Sequence, residues 1–309
     1  MKTITPLTSQ TDLTRHGLWA GVAAYFIWGL FPFYFKATAS ISAVELVSHR
    51  VIWSVPFGLL IIIFRHQIGE VISALKKPKT IALLFLAAVA LALNWGMYIW
   101  AIQQNQIFQG SLGYYINPII YVLVGVVFMG ETLSKAQGIA TALAFFGVAV
   151  LTIYGGVFPG IALFLAITFT TYGVIRKKVE IGAMPGLFIE TLLLLLPAIV
   201  YLLWVAQQGT LQFTHLGTKM DILILLAGPI TVLPLLAFAF AARRLKLSTL
   251  GFLQFIGPTL QFLCGLYFGE TFTLAHAVCF GSIWIGVAIF SYDAWQKNKK
   301  VKRLMKPIG

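Results

Sequence analysis

The sequence predicts an all-α integral membrane protein with ten transmembrane helices. Three observations predict it. Of 309 residues, 59% are hydrophobic and only 10% are charged, with a mean hydropathy of +0.90; soluble domains carry about 25% charge. Runs of about 20 apolar residues recur along nearly the whole chain, the length needed to cross a hydrocarbon core of about 30 Å. These runs are apolar on all sides, whereas the strands of an outer-membrane barrel alternate over about 10 positions. The composition excludes a soluble enzyme, a disordered linker and a collagen-like chain.

The expected spans follow in order. The first, 17–35, holds Tyr25, Trp28 and Pro32; its apolar stretch and the polar tail before it are too long for a cleaved signal peptide. The second, 43–64, begins with Glu45, His49 and Arg50, and the third, 80–101, carries Asn94 and Tyr98. The fourth, 108–128, holds Tyr114, Tyr115 and Asn117 just before Pro118. The fifth is 136–154 and the sixth, 157–175, contains Tyr172. The seventh, 184–206, has Glu190 as its one deep carboxylate, beside five leucines. The eighth is 221–240, the ninth, 248–268, holds Gln254 and Gln261, and the tenth is 273–292. The longest connections, 65–79 and 207–220, are polar and too short to be domains.

Charge sets the expected orientation. The net charge is +13, and nineteen of the 22 Lys and Arg residues fall at one set of span ends. Lys36 and Lys219 fall at the other, and Arg50 lies within a span. Cytoplasmic loops collect such residues, so both termini, 1–16 and 293–309, are expected in the cytoplasm. Nucleic acid is not the expected partner of this charge. The basic tail can also face anionic lipid. Cys264 and Cys279 lie in apolar runs and are expected to be free thiols.

The halves repeat. Trp28-Gly29 matches Tyr172-Gly173, and His49 with Pro56 matches Glu190 with Pro197. Ala101 matches Ala241, and Ile116, Pro118 and Gly125 match Ile256, Pro258 and Gly265. Gly130-Glu131-Thr132 matches Gly269-Glu270-Thr271. The offset stays between 139 and 144. Five helices, 17–154, are thus followed by five more, 157–292, and an odd number inverts the second set. Inverted repeats are a common build for secondary transporters, with substrate near the bilayer midplane.

At these residues the chain resembles a known family. Tyr25-Phe-Ile-Trp-Gly-Leu-Phe-Pro32, Glu45-Leu-Val-Ser-His-Arg-Val-Ile-Trp-Ser54, Asn94-Trp95 and Ser111-Leu-Gly-Tyr-Tyr-Ile-Asn-Pro118 are similar to the RarD subfamily of the drug/metabolite transporter superfamily. Gly130-Glu131 with Gln137 resembles the usual ending of its EamA-type repeats. Coverage is nearly the whole chain. The resemblance implies a multi-pass permease of a bacterial inner membrane, ten helices around a central cavity, and export of amino acids, metabolites or drugs. It does not choose a substrate. Phe252 to Pro258 lacks the Ser-Leu-Gly-Tyr pattern, so the halves are not chemically equivalent.

An ionisable group inside a span costs at least about 2.5–3.5 kcal/mol and needs a partner or a watery cavity. Arg50 is the candidate for a carboxylate-binding fork, or else one half of a structural pair with Glu45. His49 is a candidate proton carrier, or a structural partner of Glu45 four residues before it. Glu190 stands at the repeat position of His49 and is the candidate coupling carboxylate, unless Arg176 or Lys178 holds it as a structural pair. Asn94, Tyr98, Tyr114, Asn117 and Gln254 are candidate cavity-lining groups; interhelical hydrogen bonding is their alternative. Trp28 and Tyr172 are paired by the repeat as stacking or gating aromatics, or simple packing. Trp53, Trp95 and the remaining tryptophans read as packing or belt residues. Glu131 and Glu270 are expected to take up helix-end amides. Gly265 and Gly269 have the spacing of a close helix contact.

No P-loop, His-Glu-x-x-His motif or metal-spaced histidine cluster is present in the sequence, so no catalytic residue, metal or cofactor is expected. The reading is a transporter of a small molecule and not an enzyme, working as an exporter with protons as the candidate coupling ion. Uptake by the same fold and a non-transporting membrane sensor or assembly protein are the alternatives. Lipids surround it; the oligomeric state is left open.

Overall fold

The break between the first two helices follows from one residue. Pro32 stands in the first turn of the second helix, where a missing amide costs nothing, and Leu30 leaves the helical conformation before it. The computed structural model describes residues 8–129, 132, 134–242, 244, 245, 249, 250 and 253–304. Gly130, Glu131, Arg243, Lys246 and Phe252 lie outside the described residues, as do Lys2 and Lys306. In chain order the helices are α1 Thr8–Gly29, α2 Phe31–Ala37, α3 Ala43–Phe64, α4 Ile68–Leu75, α5 Pro78–Gln103, α6 Ile107–Met129 and α7 Lys135–Ile153. They continue as α8 Gly160–Lys178, α9 Ala183–Gln207, α10 Thr218–Leu225, α11 Ala227–Ala242, α12 Ile256–Tyr267 and α13 Leu274–Leu304.

Among the described residues there is no strand, and eight helical segments are long and apolar enough to cross a membrane. Their outer faces are apolar too: Leu196, Leu203 and Trp204 of α9 are 70, 60 and 56% exposed. A face of that kind suits lipid rather than water.

The helices fall into two units. One comprises residues 1–29, 107–167 and 241–309. Its core is aromatic, with Phe262 and Phe280 rings 4.8 Å apart and Phe108 5.3 Å from Phe262. α7 packs along α13, and α6 and α1 pack on α12. Ser134 caps α7 in a reciprocal box, its hydroxyl accepting from the Gln137 amide and the Gln137 side chain accepting from the Ser134 amide. Glu270 Oε2 accepts from the Phe108 amide at 2.9 Å, taking up a donor at the start of α6. Cys264 and Cys279 are buried free thiols.

The other unit comprises residues 30–106 and 168–240. α3 packs along α9, with α5 against both. Ile62, Leu84, Met184, Phe188 and Ile189 fill its core. α3 and α9 continue through Pro56 and Pro197.

Several boundaries differ from the sequence reading. The connection 65–79 is not a simple polar loop: α4 forms there, burying Val71 and Ala74, and its Glu70 accepts from the Gly182 amide at 2.6 Å. The eighth span is two helices, α10 and α11, joined at Leu226. The ninth is interrupted, since Gln254 and Phe255 form a turn between the helical residue Leu253 and α12. The tenth runs on to Leu304. Gly265 and Gly269 are not a helix-contact pair. Gly265 faces the Phe108 ring, but Gly269 follows the end of α12 at φ +73°, where a left-handed residue stops the helix.

Candidate functional site

The N-terminal half of α3 carries the polar face. Ser42 opens the helix by accepting from the Glu45 amide at 3.2 Å. Glu45 therefore stands in the first turn, where a carboxylate suits the helix dipole. Its Oε1 accepts from the Gln212 amide at 2.9 Å and lies 3.8 Å from His49 Nε2. The connection before α10 is thus tied to α3, and Phe213 follows with its ring 5.1 Å from His49. His49 is 3% exposed, and neither ring nitrogen has a hydrogen-bond partner among the described residues. Between the two structural pairings open to Glu45, the contact with His49 is the one formed.

Arg50 lies one residue on and 3% exposed. Its Nε donates to Thr231 Oγ1 of α11 at 3.0 Å. Its guanidinium carbon stands 4.3 Å from the Trp95 ring centroid, 5.6 Å from Phe35 and 5.8 Å from Phe31. A desolvated cation over an aromatic face gains about 2 kcal/mol. Thr231 in turn donates to the Ala227 carbonyl at 2.7 Å, which fixes the direction of its lone pairs. Beside this cluster is a cavity of about 20 Å³, room for about one water. Ser54, Trp95, Thr191 and Thr231 line it, and Ser54 Oγ is buried with no hydrogen-bond partner among the described residues.

Asn94 and Tyr98 share one face of α5, as their spacing requires, and both are buried. Asn94 Nδ2 donates to Thr168 Oγ1 at 3.0 Å, and the Tyr98 ring stands edge-on to Phe35 at 5.8 Å. Tyr98 thus touches the same ring that flanks Arg50.

On α9, Glu190 is 1% exposed. Tyr172 donates to its Oε2 at 3.3 Å, and Arg176 NH1 lies 3.5 Å from its Oε1. Arg176 also reaches the Gly182 and Ala183 carbonyls at 3.4 Å. Of the partners considered for Glu190, the pair is with Arg176, and Tyr172 joins it.

Trp28, Tyr114, Asn117 and Gln254 belong to the other unit. The Trp28 carbonyl accepts from Gln261 Nε2 at 3.3 Å, and its ring packs edge-on to Tyr25 at 5.3 Å. Asn117 is buried, while Tyr114 and Gln254 are half-buried. Their neighbour Ser111 donates to the Pro258 carbonyl at 2.8 Å, tying α6 to α12. Gln261 Oε1 is buried with no hydrogen-bond partner among the described residues.

Sequence reasoning missed Trp95, Thr231 and Phe213. Trp95 is neither belt nor plain packing, since its face lies under Arg50. The adjacency Asn94-Trp95 was a usable signal. Thr231 and Phe213 carried none, because each meets α3 from more than 160 positions away.

Residues 15–153 match the EamA-like transporter family. An uncharacterized transporter of Vibrio cholerae is 41% identical over 298 residues, 96% of this chain and 99% of that one. Protein RarD of Salmonella typhi is 42% identical over 288 residues, 93% and 98% of the two chains. A solved crystal structure shares the fold with a TM-score of 0.58 at 17% identity, over 88% of this chain and 96% of the other. The apolar helices, the matched residues 15–153 and the likeness over more than nine-tenths of the chain agree: the chain belongs to the RarD-type permeases of the EamA family, in the drug/metabolite transporter superfamily.

Proposed function

We propose that this permease is a secondary transporter of a bacterial inner membrane, exporting a small carboxylate-bearing molecule such as an amino acid or metabolite anion. The observation that carries the substrate class is the Arg50 cluster: a buried guanidinium held by Thr231 and the Trp95 face. An intramembrane cation of this kind is a functional candidate by default, and its planar fork matches a carboxylate. Its neighbours come from both repeats, α3 and α5 from the first and α11 from the second. Glu190 with Arg176 and Tyr172 is the coupling group in this reading, and His49 with Glu45 a second proton-carrying candidate. Asn94 and Tyr98 line the substrate's path beside Arg50. Trp28, Tyr114, Asn117 and Gln254, in the other unit, stay lining candidates on the sequence reading alone.

The chain works by alternating access between two inverted five-helix repeats, ten spans in all, with both termini in the cytoplasm. What supports the inversion is reciprocal packing. Gly147 of α7 lies against Cys279 of α13, and Gly286 of α13 lies against Ala140 of α7. The two residues of each repeat are related by one offset of 139. Contact of i with j′ and j with i′ is the signature of a twofold relation. The order of the contacts runs oppositely along the two helices, as for repeats related by an axis in the membrane plane.

The test is thermal stabilisation of the detergent-purified protein by amino acids, small carboxylates, nucleosides and chloramphenicol, with Arg50→Ala alongside. A ligand at 100 times its Kd stabilises by about 2.7 kcal/mol. The expected result is a carboxylate ligand that raises the melting point of the wild type and not of Arg50→Ala. Stabilisation by neutral ligands alone, or equal stabilisation of the variant, overturns the assignment. Counterflow in proteoliposomes loaded with the hit then reads direction.

A further inference from the structure

We propose that an anionic glycerophospholipid binds along α13, with an acyl chain in an aromatic cleft and its phosphate on the basic turns that follow. This goes beyond the transport reading and does not depend on it. The cleft has a volume of about 700 Å³ and is formed by α6, α12 and α13. Its floor is Tyr115, 2% exposed, whose ring lies parallel to Phe255 at 6.3 Å and edge-on to Trp284 at 6.3 Å. The Tyr115 hydroxyl and Thr259 Oγ1 are 2.6 Å apart, so the polar end of the floor is occupied locally. What faces the cleft is almost wholly carbon.

The wall on α13 is a stripe. Trp284, Ala288, Ser291, Tyr292 and Trp295 border the cleft, and they recur at helical steps of three and four. The same steps continue to Lys299, then to Lys302 and Arg303. α13 is unbroken to Leu304, so the register carries through. The apolar span ends at Asp293; the stripe turns basic just past the hydrocarbon. Trp284, Tyr292 and Trp295 are 40, 59 and 45% exposed, and the last two stand at the level expected of an interfacial belt. The one acidic residue from 274 onward, Asp293, lies off the stripe and accepts from Ser134 Oγ at 3.0 Å.

An open carbon-lined cleft, with three basic positions in the same helical register a few residues further along α13, matches a molecule with an apolar chain and an anionic head. A zwitterionic lipid has no net charge to offer the cations. A small aromatic solute would use the cleft and leave the cations idle.

Native mass spectrometry of the full chain in detergent tests this, with palmitoyl-oleoyl phosphatidylglycerol and the matching phosphatidylcholine at equal concentration. The wild type is expected to retain phosphatidylglycerol over phosphatidylcholine by about tenfold or more. The combined variant Lys299→Gln, Lys302→Gln, Arg303→Gln, all beyond the span, is expected to bring the two lipids within about twofold of each other. Ala288→Trp fills the cleft and is expected to lose both. Dihexanoyl phosphatidylglycerol, which keeps the head and lacks the long chains, is expected to be retained about tenfold less than the long-chain lipid, and this arm stands even where Ala288→Trp fails to fold. Parity of the two headgroups on the wild type, an undiminished preference in the triple variant, or equal retention of short and long chains overturns the site.

Discussion

Gly147 lies directly on the backbone of Cys279: a Cβ at 147 would stand 2.9 Å from the Cys279 carbonyl oxygen and 3.1 Å from its Cα. The contact has a counterpart, since a Cβ at Gly286 would stand 3.0 Å from the Ala140 carbonyl oxygen. Backbone meets backbone at both places, so neither helix can yield by turning a side chain. α7 and α13 are held at the separation that glycine allows.

Gly147→Ala and Gly286→Ala are accordingly expected to destabilise the protein by about 1–3 kcal/mol each, as overpacking does. Gly281→Ala, on the same α13 but with nothing within 4 Å of the added carbon, is the control. There alanine's helix propensity adds up to about 1 kcal/mol of stability. Melting temperatures of the three purified variants in one detergent decide it. Equal shifts at 281 and 286 would contradict the close approach.

The Arg176–Glu190 pair makes a different prediction. Glu190 is 1% exposed, so removing only Arg176 leaves a carboxylate buried beside one Tyr172 hydroxyl. Truncating one member of such a pair costs about 3–5 kcal/mol; Arg176, with 15% of its side chain exposed, places this pair toward the lower end. Arg176→Met is expected to destabilise strongly, and Arg176→Met combined with Glu190→Gln to recover much of the loss. The double-mutant cycle should give a coupling of about 1–3 kcal/mol. Simple additivity would show that the two groups do not depend on each other.

Sequence periodicity and composition located the apolar spans because those signals are local. The Ser134–Gln137 box is a four-residue pattern that the sequence reading passed over, and the role of Glu270 followed from a carboxylate placed next to a helix start. Arg50, His49 and Glu190 stood out because charge within an apolar run is costly wherever it falls. What surrounds them was not legible. Thr231 is 181 positions from Arg50, and a threonine in an apolar helix carries no mark of its partner. Gln212 and Phe213 lie in a connection whose composition says only that it is polar, yet Gln212 holds Glu45. α4 escaped for a related reason: eight residues are too few for a periodic signal to outweigh the flanking lysines, and its helix is supported by burial of Val71 and Ala74 and by the Glu70 contact with Gly182. Gly265 and Gly269 have the right spacing for a contact, but the helix ends between them.

Glu270 is expected to matter to stability through its bond to the Phe108 amide. Its Oε2 accepts from the Phe108 amide, a donor that α6 itself cannot satisfy. Glu270→Ala is expected to cost about 0.5–2 kcal/mol, the usual loss for a removed helix-end acceptor. Glu270→Gln keeps an acceptor oxygen and loses the charge that complements the helix N-terminus, so it should cost less, about 0.3–1 kcal/mol. Denaturation of the two variants side by side checks the order; a Gln variant as damaged as the Ala variant would assign the effect to charge alone.

Trp95 offers the sharpest reading of the Arg50 cluster, because its ring can be changed without touching the cation. The guanidinium carbon is 4.3 Å from the indole centroid, closer than to either phenylalanine ring. Trp95→Phe keeps an aromatic face with a weaker quadrupole; Trp95→Leu keeps apolar bulk and removes the face. A desolvated cation–π contact is worth about 2 kcal/mol, so stability should fall in the order Trp, Phe, Leu. Thr231→Val removes the acceptor of Arg50 Nε, and a hydrogen bond to a charged group contributes about 1.5–3 kcal/mol. The expected outcome is that Trp95→Leu and Thr231→Val each lower the melting point, and that in an Arg50→Met background neither does so by more than about 0.5 kcal/mol, since the group they orient is gone. Full penalties in that background would mean that Trp95 and Thr231 act through packing rather than through Arg50.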